Sequence, residues 1–271
     1  MELQNASSQD RLTYVFDLDG VIYRGNEPQP HSRETILHLR NSGHFVRFYT
    51  NNSAKSRLVY QRKLESMGIP TPIDEIMTSS YAAALYFQEI GAQGKVVYRI
   101  GEQGMVDEFE AVGMKVITGD ECPNAEISFV VVGIDRQFTY SKLARAMKAI
   151  LGGAQFLATN EDATFPIEGG GLLPGGGCMV AAIRTATATE PFVVGKPETY
   201  AFDKVLQLAN TPPERAIIVG DRLDTDIRVG NRAGAQSVLV LTGISTREEA
   251  DAAVGNLKPD RIIETLAELV S

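Results

Sequence analysis

Short apolar runs recur along the chain, each closed by a polar or glycine-containing turn and most of them followed by a stretch with helical spacing. The runs LTYVF (12–16), FVRFYT (45–50), PFVVG (191–195), AIIVG (216–220) and SVLVL (237–241) are rich in Val, Ile, Phe and Tyr, the composition of strands buried on both faces. Between them, residues 33–41 end before Gly43 and 55–67 end before Gly68. Thr246 with Glu249 forms a capping box opening a helix at 247–254. This alternation predicts an α/β fold with a Rossmann-like parallel sheet and right-handed crossovers. In such sheets ligands bind beyond the carboxyl ends of the strands.

One gap in the alternation is too wide for a crossover. Asn51 and Lys196 are 196 − 51 = 145 positions apart, whereas a strand-to-strand connection needs only about a dozen residues. Within the gap, VVYRI (96–100), ISFVVVG (127–133) and AQFLAT (154–159) have strand composition. SKLARAMKAIL (141–151) repeats apolar residues at Leu143, Ala146, Met147, Ile150 and Leu151 with helical spacing. Residues 1–80 and 188–271 are therefore expected to form the core, and residues 81–187 a smaller inserted α/β domain.

Four strand endings carry the polar chemistry. They read Asp17-Leu18-Asp19-Gly20, Thr50-Asn51-Asn52-Ser53, Gly195-Lys196-Pro197 and Gly220-Asp221-Arg222-Leu223-Asp224-Thr225-Asp226. Each alone is an ordinary turn, N-cap or solvated loop; together they put acids, a hydroxyl and a lysine on one rim. Phosphoryl transfer uses that set, because a phosphate ester repels an attacking carboxylate unless a cation and hydrogen-bond donors offset its charge. Asp17 and Asp221 are the natural ligands for Mg²⁺, which prefers oxygen. Lys196 would bring a positive charge to the phosphate and Thr50 a hydroxyl, with backbone amides near Asn51 adding donors. Asp17 would attack as a carboxylate nucleophile, and Asp19 would protonate the leaving oxygen and later take a proton from water.

Composition narrows the partners. At 271 residues and 44% hydrophobic, the chain can bury a substantial core. Its net charge of −8 opposes a broad nucleic-acid footprint, and no apolar run reaches the roughly 20 residues needed to cross a bilayer. The opening MELQNASSQDRLTY lacks the apolar centre of a signal peptide, and Cys122 and Cys178 form no CxxC pair. These features predict a cytoplasmic protein acting on a small ligand, with no nucleic-acid or membrane partner.

DLDG followed by Val-Ile, then TNNS, GKP and GDRLDTDI in that order resemble the haloacid dehalogenase (HAD)-like superfamily of phosphohydrolases. The likeness spans about residues 12–245 and is closest to the p-nitrophenylphosphatase and NagD-like branch, whose type IIA cap is inserted between the second and third motifs. The resemblance implies that 81–187 is a cap, that Asp17 is the nucleophile and a metal ligand, and that Asp19 is the general acid/base with its backbone carbonyl on the metal. It also implies that Thr50, Asn51 and Lys196 bind phosphate, that Asp221 ligates Mg²⁺ and that Asp226 orders a metal-bound water. Asp224 and Arg222 are expected to be structural, with Arg222 paired to a neighbouring acid.

ATNEDATFPIEGGGLLPGGG (158–177) is similar to the ATNxDxxFP segment of the family, which marks Asn160 and Asp162 as substrate-loop candidates. Glu161 stands where many relatives have proline, and KPETY lacks the second proline common after the family lysine. The expectation is an Mg²⁺-dependent phosphatase of small phosphate monoesters acting through an aspartyl-phosphate, with homodimers through the cap. Generic p-nitrophenyl phosphate, phosphoglycolate or a sugar phosphate would be substrates. The alternatives are a receiver-like phospho-aspartate signalling module and a non-catalytic phosphate-binding protein. An acid two residues after Asp17 favours turnover over a persistent acyl phosphate, and the long insert also disfavours a receiver.

Overall fold

The computed structural model describes residues 11–166 and 171–270. The opening MELQNASSQD and four residues of the 158–177 stretch, 167–170, lie outside the described residues. In chain order, the first half runs β1 (Thr13–Phe16), β2 (Tyr23–Arg24), β3 (Glu27–Pro28), α1 (Ser32–Asn41), β4 (Phe45–Thr50), α2 (Arg57–Ser66), β5 (Ile76–Thr78), α3 (Ser79–Glu89), β6 (Val96–Ile100), α4 (Gln103–Ala111) and β7 (Lys115–Ile117). The second half runs β8 (Phe129–Val132), α5 (Tyr140–Leu151), β9 (Gln155–Ala158), β10 (Thr164–Pro166), β11 (Leu172–Pro174), α6 (Gly176–Thr187), β12 (Phe192–Val193), α7 (Tyr200–Leu208), β13 (Ala216–Gly220), α8 (Arg228–Ala233), β14 (Gln236–Val240), α9 (Arg247–Ala252) and β15 (Arg261–Ile263). These residues divide into two compact units, one of 11–50, 61–77 and 196–270 and the other of 51–60 and 78–195.

The first unit is built on a sheet of order β15-β14-β13-β1-β4-β5. β1 is parallel to β13 on one side and to β4 on the other, and β13, β14 and β15 continue the parallel set. Every residue of β1 and of β13 is buried, which is why both read as unbroken apolar runs rather than as alternating ones. The chain moves outward from β1 through β4 to β5, then returns to add β13, β14 and β15 on the other side. The order therefore reverses between β1 and β13, which is where a doubly wound sheet opens a crevice at its carboxyl edge. α9 starts at Thr246 with the expected capping box, Thr246 accepting from the Glu249 N–H and Glu249 from the Thr246 N–H.

The second unit holds its own parallel sheet, of order β12-β9-β8-β6-β7. Tyr98, Val130, Val132, Ala146, Ile150, Phe156 and Ile183 meet in its core, so the helical face expected of 141–151 packs inward through Ala146 and Ile150. Residues 51–60 belong to this unit, tied to it by Gly104 N–H donating to the Ala54 carbonyl and by Arg57 donating from its backbone and Nε to the buried Glu108 carboxylate. The sequence-based boundaries at 81 and 187 had left them, with 78–80 and 188–195, in the core.

One expected strand changes sheet. The run at 191–195 is expected in the core sheet, but its residues Phe192 and Val193 pair with Leu157 and Ala158 of β9, at the edge of the second unit's sheet. β1, β4, β13, β14 and β15 pair in parallel, as do the strands of the second sheet, so local composition fits either; only pairing distinguishes them.

Candidate active site

β1 ends at Phe16, and Asp17 extends its ladder by one bond, its N–H donating to the Val219 carbonyl of β13. The chain then turns sharply. The Leu18 carbonyl accepts from the N–H groups of Val21, Ile22 and Tyr23, and Gly20 N–H donates to Tyr23. Asp17 is therefore buried at the strand end, while Asp19 lies half-buried on the turn. β13 delivers Asp221 beside it across the switch point. Residues 223–227 then wind as a single π-helical turn, a local widening frequent at functional sites, in which both Asp226 and Ile227 N–H groups donate to the Arg222 carbonyl.

That turn carries Asp226 into the cluster. Asp17, Asp221 and Asp226 are all buried, and each offers a carboxylate oxygen within 4.8 Å of the others. Lys196, only 1% exposed, reaches between two of them: its Nζ donates to Asp17 Oδ1 at 2.5 Å, to Asp226 Oδ1 at 2.6 Å and to the Tyr49 carbonyl at 3.3 Å. Asp226 Oδ2 accepts from Arg222 N–H at 3.2 Å. Arg222 turns its guanidinium outward onto Asp224, donating to both carboxylate oxygens at 3.0 and 2.8 Å, the expected structural pair.

The electrostatics follow from counting charges. Three carboxylates face one ammonium, so without a cation the cluster carries excess negative charge away from water. Burial pushes the Asp17 carboxyl well above the usual carboxylate range, against the pull of Lys196 and with the push of Asp226 and Asp221. Burial and then Asp226 push Asp221 up to about 7, against the Ile244 N–H that Asp221 accepts. Burial works against the Lys196 charge, but Asp17 and Asp226 outweigh it and hold the lysine protonated. Asp17 and Asp221 are the groups pushed towards taking up a proton. Three carboxylates less one ammonium leave two negative charges, all on oxygen donors, so the cluster suits a hard divalent cation such as Mg²⁺.

The other candidates are placed as follows. Thr50 is buried at the end of β4. Asn51, Asn160 and Asp162 are joined to one another: Asn160 Nδ2 donates to the Asn51 carbonyl at 2.7 Å, Asp162 N–H donates to Asn160 Oδ1 at 3.1 Å, and Asn51 Nδ2 donates to both Asp162 oxygens at 3.2 Å. Cys178 is exposed, its thiol against the Ala163 carbonyl. Among the described residues no helix is long and apolar enough to cross a membrane. Sequence reasoning overlooked the loop after β14, where Ile244 N–H donates to Asp221 Oδ2 at 2.9 Å. The only signal for it was a Thr-Gly pair closing an apolar run.

This arrangement is that of a hydrolase whose chemistry sits on strand-end carboxylates. The model described as haloacid dehalogenase-like hydrolase matches residues 14–115, and a HAD-hydrolase-like model matches 193–269. A glycerol-3-phosphate phosphatase of Gallus gallus is 35% identical, covering 95% of this chain and 90% of its own. The p-nitrophenyl phosphatase from Archaeoglobus fulgidus has a similar structure, with a TM-score of 0.88 at 34% identity over 96% of this chain and 98% of that one. The glycerol phosphate phosphatase from Mycobacterium tuberculosis in complex with magnesium gives 0.85 at 34% identity over 96% and 77%. The chain belongs to the haloacid dehalogenase-like hydrolases. Within them it is a phosphatase, like its relatives in both sequence and structure.

Proposed function

We propose that the chain hydrolyses small-molecule phosphate monoesters through an aspartyl-phosphate on Asp17, with Mg²⁺ as cofactor. The observation that carries this reading is the Lys196 ammonium fixed between Asp17 and Asp226 beside Asp221. Asp17, Asp221 and the backbone carbonyl of Asp19 would hold Mg²⁺, with Asp226 ordering water on it. Bound there, Mg²⁺ supplies the positive charge that keeps these carboxylates ionised and offsets the charge of the ester.

Asp17 then attacks phosphorus, forming an O–P bond, while the ester oxygen leaves with the bonding pair and takes a proton from Asp19. In the second half, water gives a proton to Asp19 and attacks the same phosphorus. The acyl–phosphate bond breaks, releasing phosphate and the Asp17 carboxylate. Lys196 and the Thr50 hydroxyl, with donors at Asn51, stabilise the charge on the transferring oxygens. The 51–60 and 78–195 unit is assigned the role of an inserted cap that selects the ester, with Asn160 and Asp162 in its substrate loop. Relatives named for glycerol phosphate support a small phosphorylated alcohol or acid, such as glycerol phosphate, phosphoglycolate or a sugar phosphate, as the substrate class.

The test is a panel of these esters with p-nitrophenyl phosphate, ranked by kcat/KM in Mg²⁺, for wild type and Asp17→Asn. Wild type should turn over and the variant should lose at least about a thousandfold in kcat, having lost its nucleophile at constant volume. Undiminished turnover by a folded Asp17→Asn, or by wild type in excess EDTA, would sink the mechanism.

A further inference from the structure

The loop 242–245 is fastened to both strand ends of the switch point. Thr242 Oγ1 donates to the Gly20 carbonyl at 2.7 Å, and the Thr242 carbonyl accepts from Arg24 at 3.0 Å and from Gln29 Nε2 at 3.2 Å. On the other side, Ser245 N–H donates to the Asp221 carbonyl at 3.0 Å, and Ser245 Oγ accepts from Leu223 N–H at 3.1 Å. Ile244 N–H, between these anchors, is aimed at Asp221 Oδ2.

The fit around that carboxylate leaves no spare space. A Cβ on Gly243 would stand 1.9 Å from Asp221 Oδ2 and 2.3 Å from its Cγ, and a Cβ on Gly20 2.4 Å from the same Oδ2. Gly20 also has φ +89°, in the region glycine alone enters without strain. Two glycine backbones therefore enclose Asp221, and one amide engages one of its two oxygens. A buried side chain held in this way has little freedom to change rotamer.

We infer that residues 242–245 are a positioning loop for cation binding: Gly243 and the Ile244 amide commit Asp221 Oδ2 and its rotamer, so that Oδ1 faces the cation, and Thr242 holds the loop to the Gly20 turn. This rests on the reading of Asp221 as a metal ligand. None of these three residues would be a ligand of the cation. Their effect runs through the carboxylate, so they govern affinity for Mg²⁺ more than the chemical step at saturation.

The experiment compares wild type, Gly243→Ala and Thr242→Val after EDTA treatment and its removal, titrating Mg²⁺ calorimetrically and recording circular dichroism. Changing a group that hydrogen-bonds or orients a metal's ligand costs roughly 10–100-fold in affinity. Gly243→Ala should weaken Mg²⁺ binding by about that factor. Thr242→Val keeps the shape and loses one hydrogen bond, and should weaken binding by roughly three- to tenfold. In both, kcat on p-nitrophenyl phosphate should return to within about twofold of wild type at saturating Mg²⁺. Folded variants with wild-type Mg²⁺ affinity would overturn the inference while leaving the phosphatase reading intact. If Gly243→Ala does not fold, Thr242→Val decides alone. A wild-type chain that takes up no Mg²⁺ would overturn the metal reading, and this inference with it.

Discussion

Removing metal and raising the pH should weaken the fold, with the buried and coupled Asp17 and Asp221 as the cause. In the metal-free protein the Asp221 carboxyl is pushed from 3.8 to about 7, so between those values the folded state holds a proton that the unfolded state has released. The folded pKa is the higher one, so the contribution of Asp221 to stability is fully present below about 4 and is lost as the pH rises to about 7. At 1.36 kcal/mol per pH unit, the window from 3.8 to about 7 amounts to roughly 4 kcal/mol. Asp17 moves in the same direction, and the loss belongs to the coupled pair. Between pH 4.5 and 8 the part of that window crossed, from 4.5 to about 7, amounts to roughly 3.4 kcal/mol, and at a urea m-value of 2–3 kcal/mol/M this is a fall of roughly 1–1.7 M in the midpoint.

The assay is urea unfolding across that range in EDTA, for wild type and Asp221→Asn. His44 accepts a hydrogen bond from Leu12 N–H, and burial lowers its pKa below 6.5, so it contributes the opposite slope in both proteins; their difference cancels His44 and reads the coupled acids to which Asp221 belongs. Adding Mg²⁺, which binds the ionised carboxylates, should flatten or reverse the wild-type slope and add about 2.7 kcal/mol at a hundred times its Kd. A metal-free stability that is flat or rises with pH, or an equal slope in Asp221→Asn, would refute the reasoning.

Two further outcomes follow from the same cluster. Lys196→Met should destabilise the metal-free fold by about 3–5 kcal/mol, because it leaves Asp17 and Asp226 buried without their ammonium; the loss should shrink at low pH, where Asp17, already raised by burial, takes up a proton, and thermal unfolding at pH 5 and 8 checks both the size and the sign. Asp19→Asn should slow hydrolysis of alkyl phosphates by roughly 10²–10⁴-fold, and should slow formation of the acyl phosphate from p-nitrophenyl phosphate far less, because a phenolate leaves without protonation; rapid-quench measurements on the two ester types read that ratio.

Much of the site was visible in the chain because its acids follow the strands that carry them. Asp17 and Asp221 come directly after apolar runs, and a strand buried on both faces has to be apolar, so the polar residue that ends it stands out. The same locality made the capping box at Thr246 and the inward face of 141–151 legible. Asp226 is different: its place beside Asp17 depends on the π-helical turn at 223–227, which no hydrophobic period marks.

The sequence by itself determined the fold class, the strand ends that bear acids, and the need for a second module between Asn51 and Lys196. Tertiary structure alone decided which sheet claims Phe192 and Val193, and that Lys196, three residues beyond Val193, places its ammonium between Asp17 and Asp226. It also decided that two glycine backbones close around Asp221. The division has a physical reason. Burial and turn preferences act through neighbouring residues and leave a local pattern, whereas strand pairing and the approach of a loop to a carboxylate join residues up to 223 positions apart (Gly20 and Gly243).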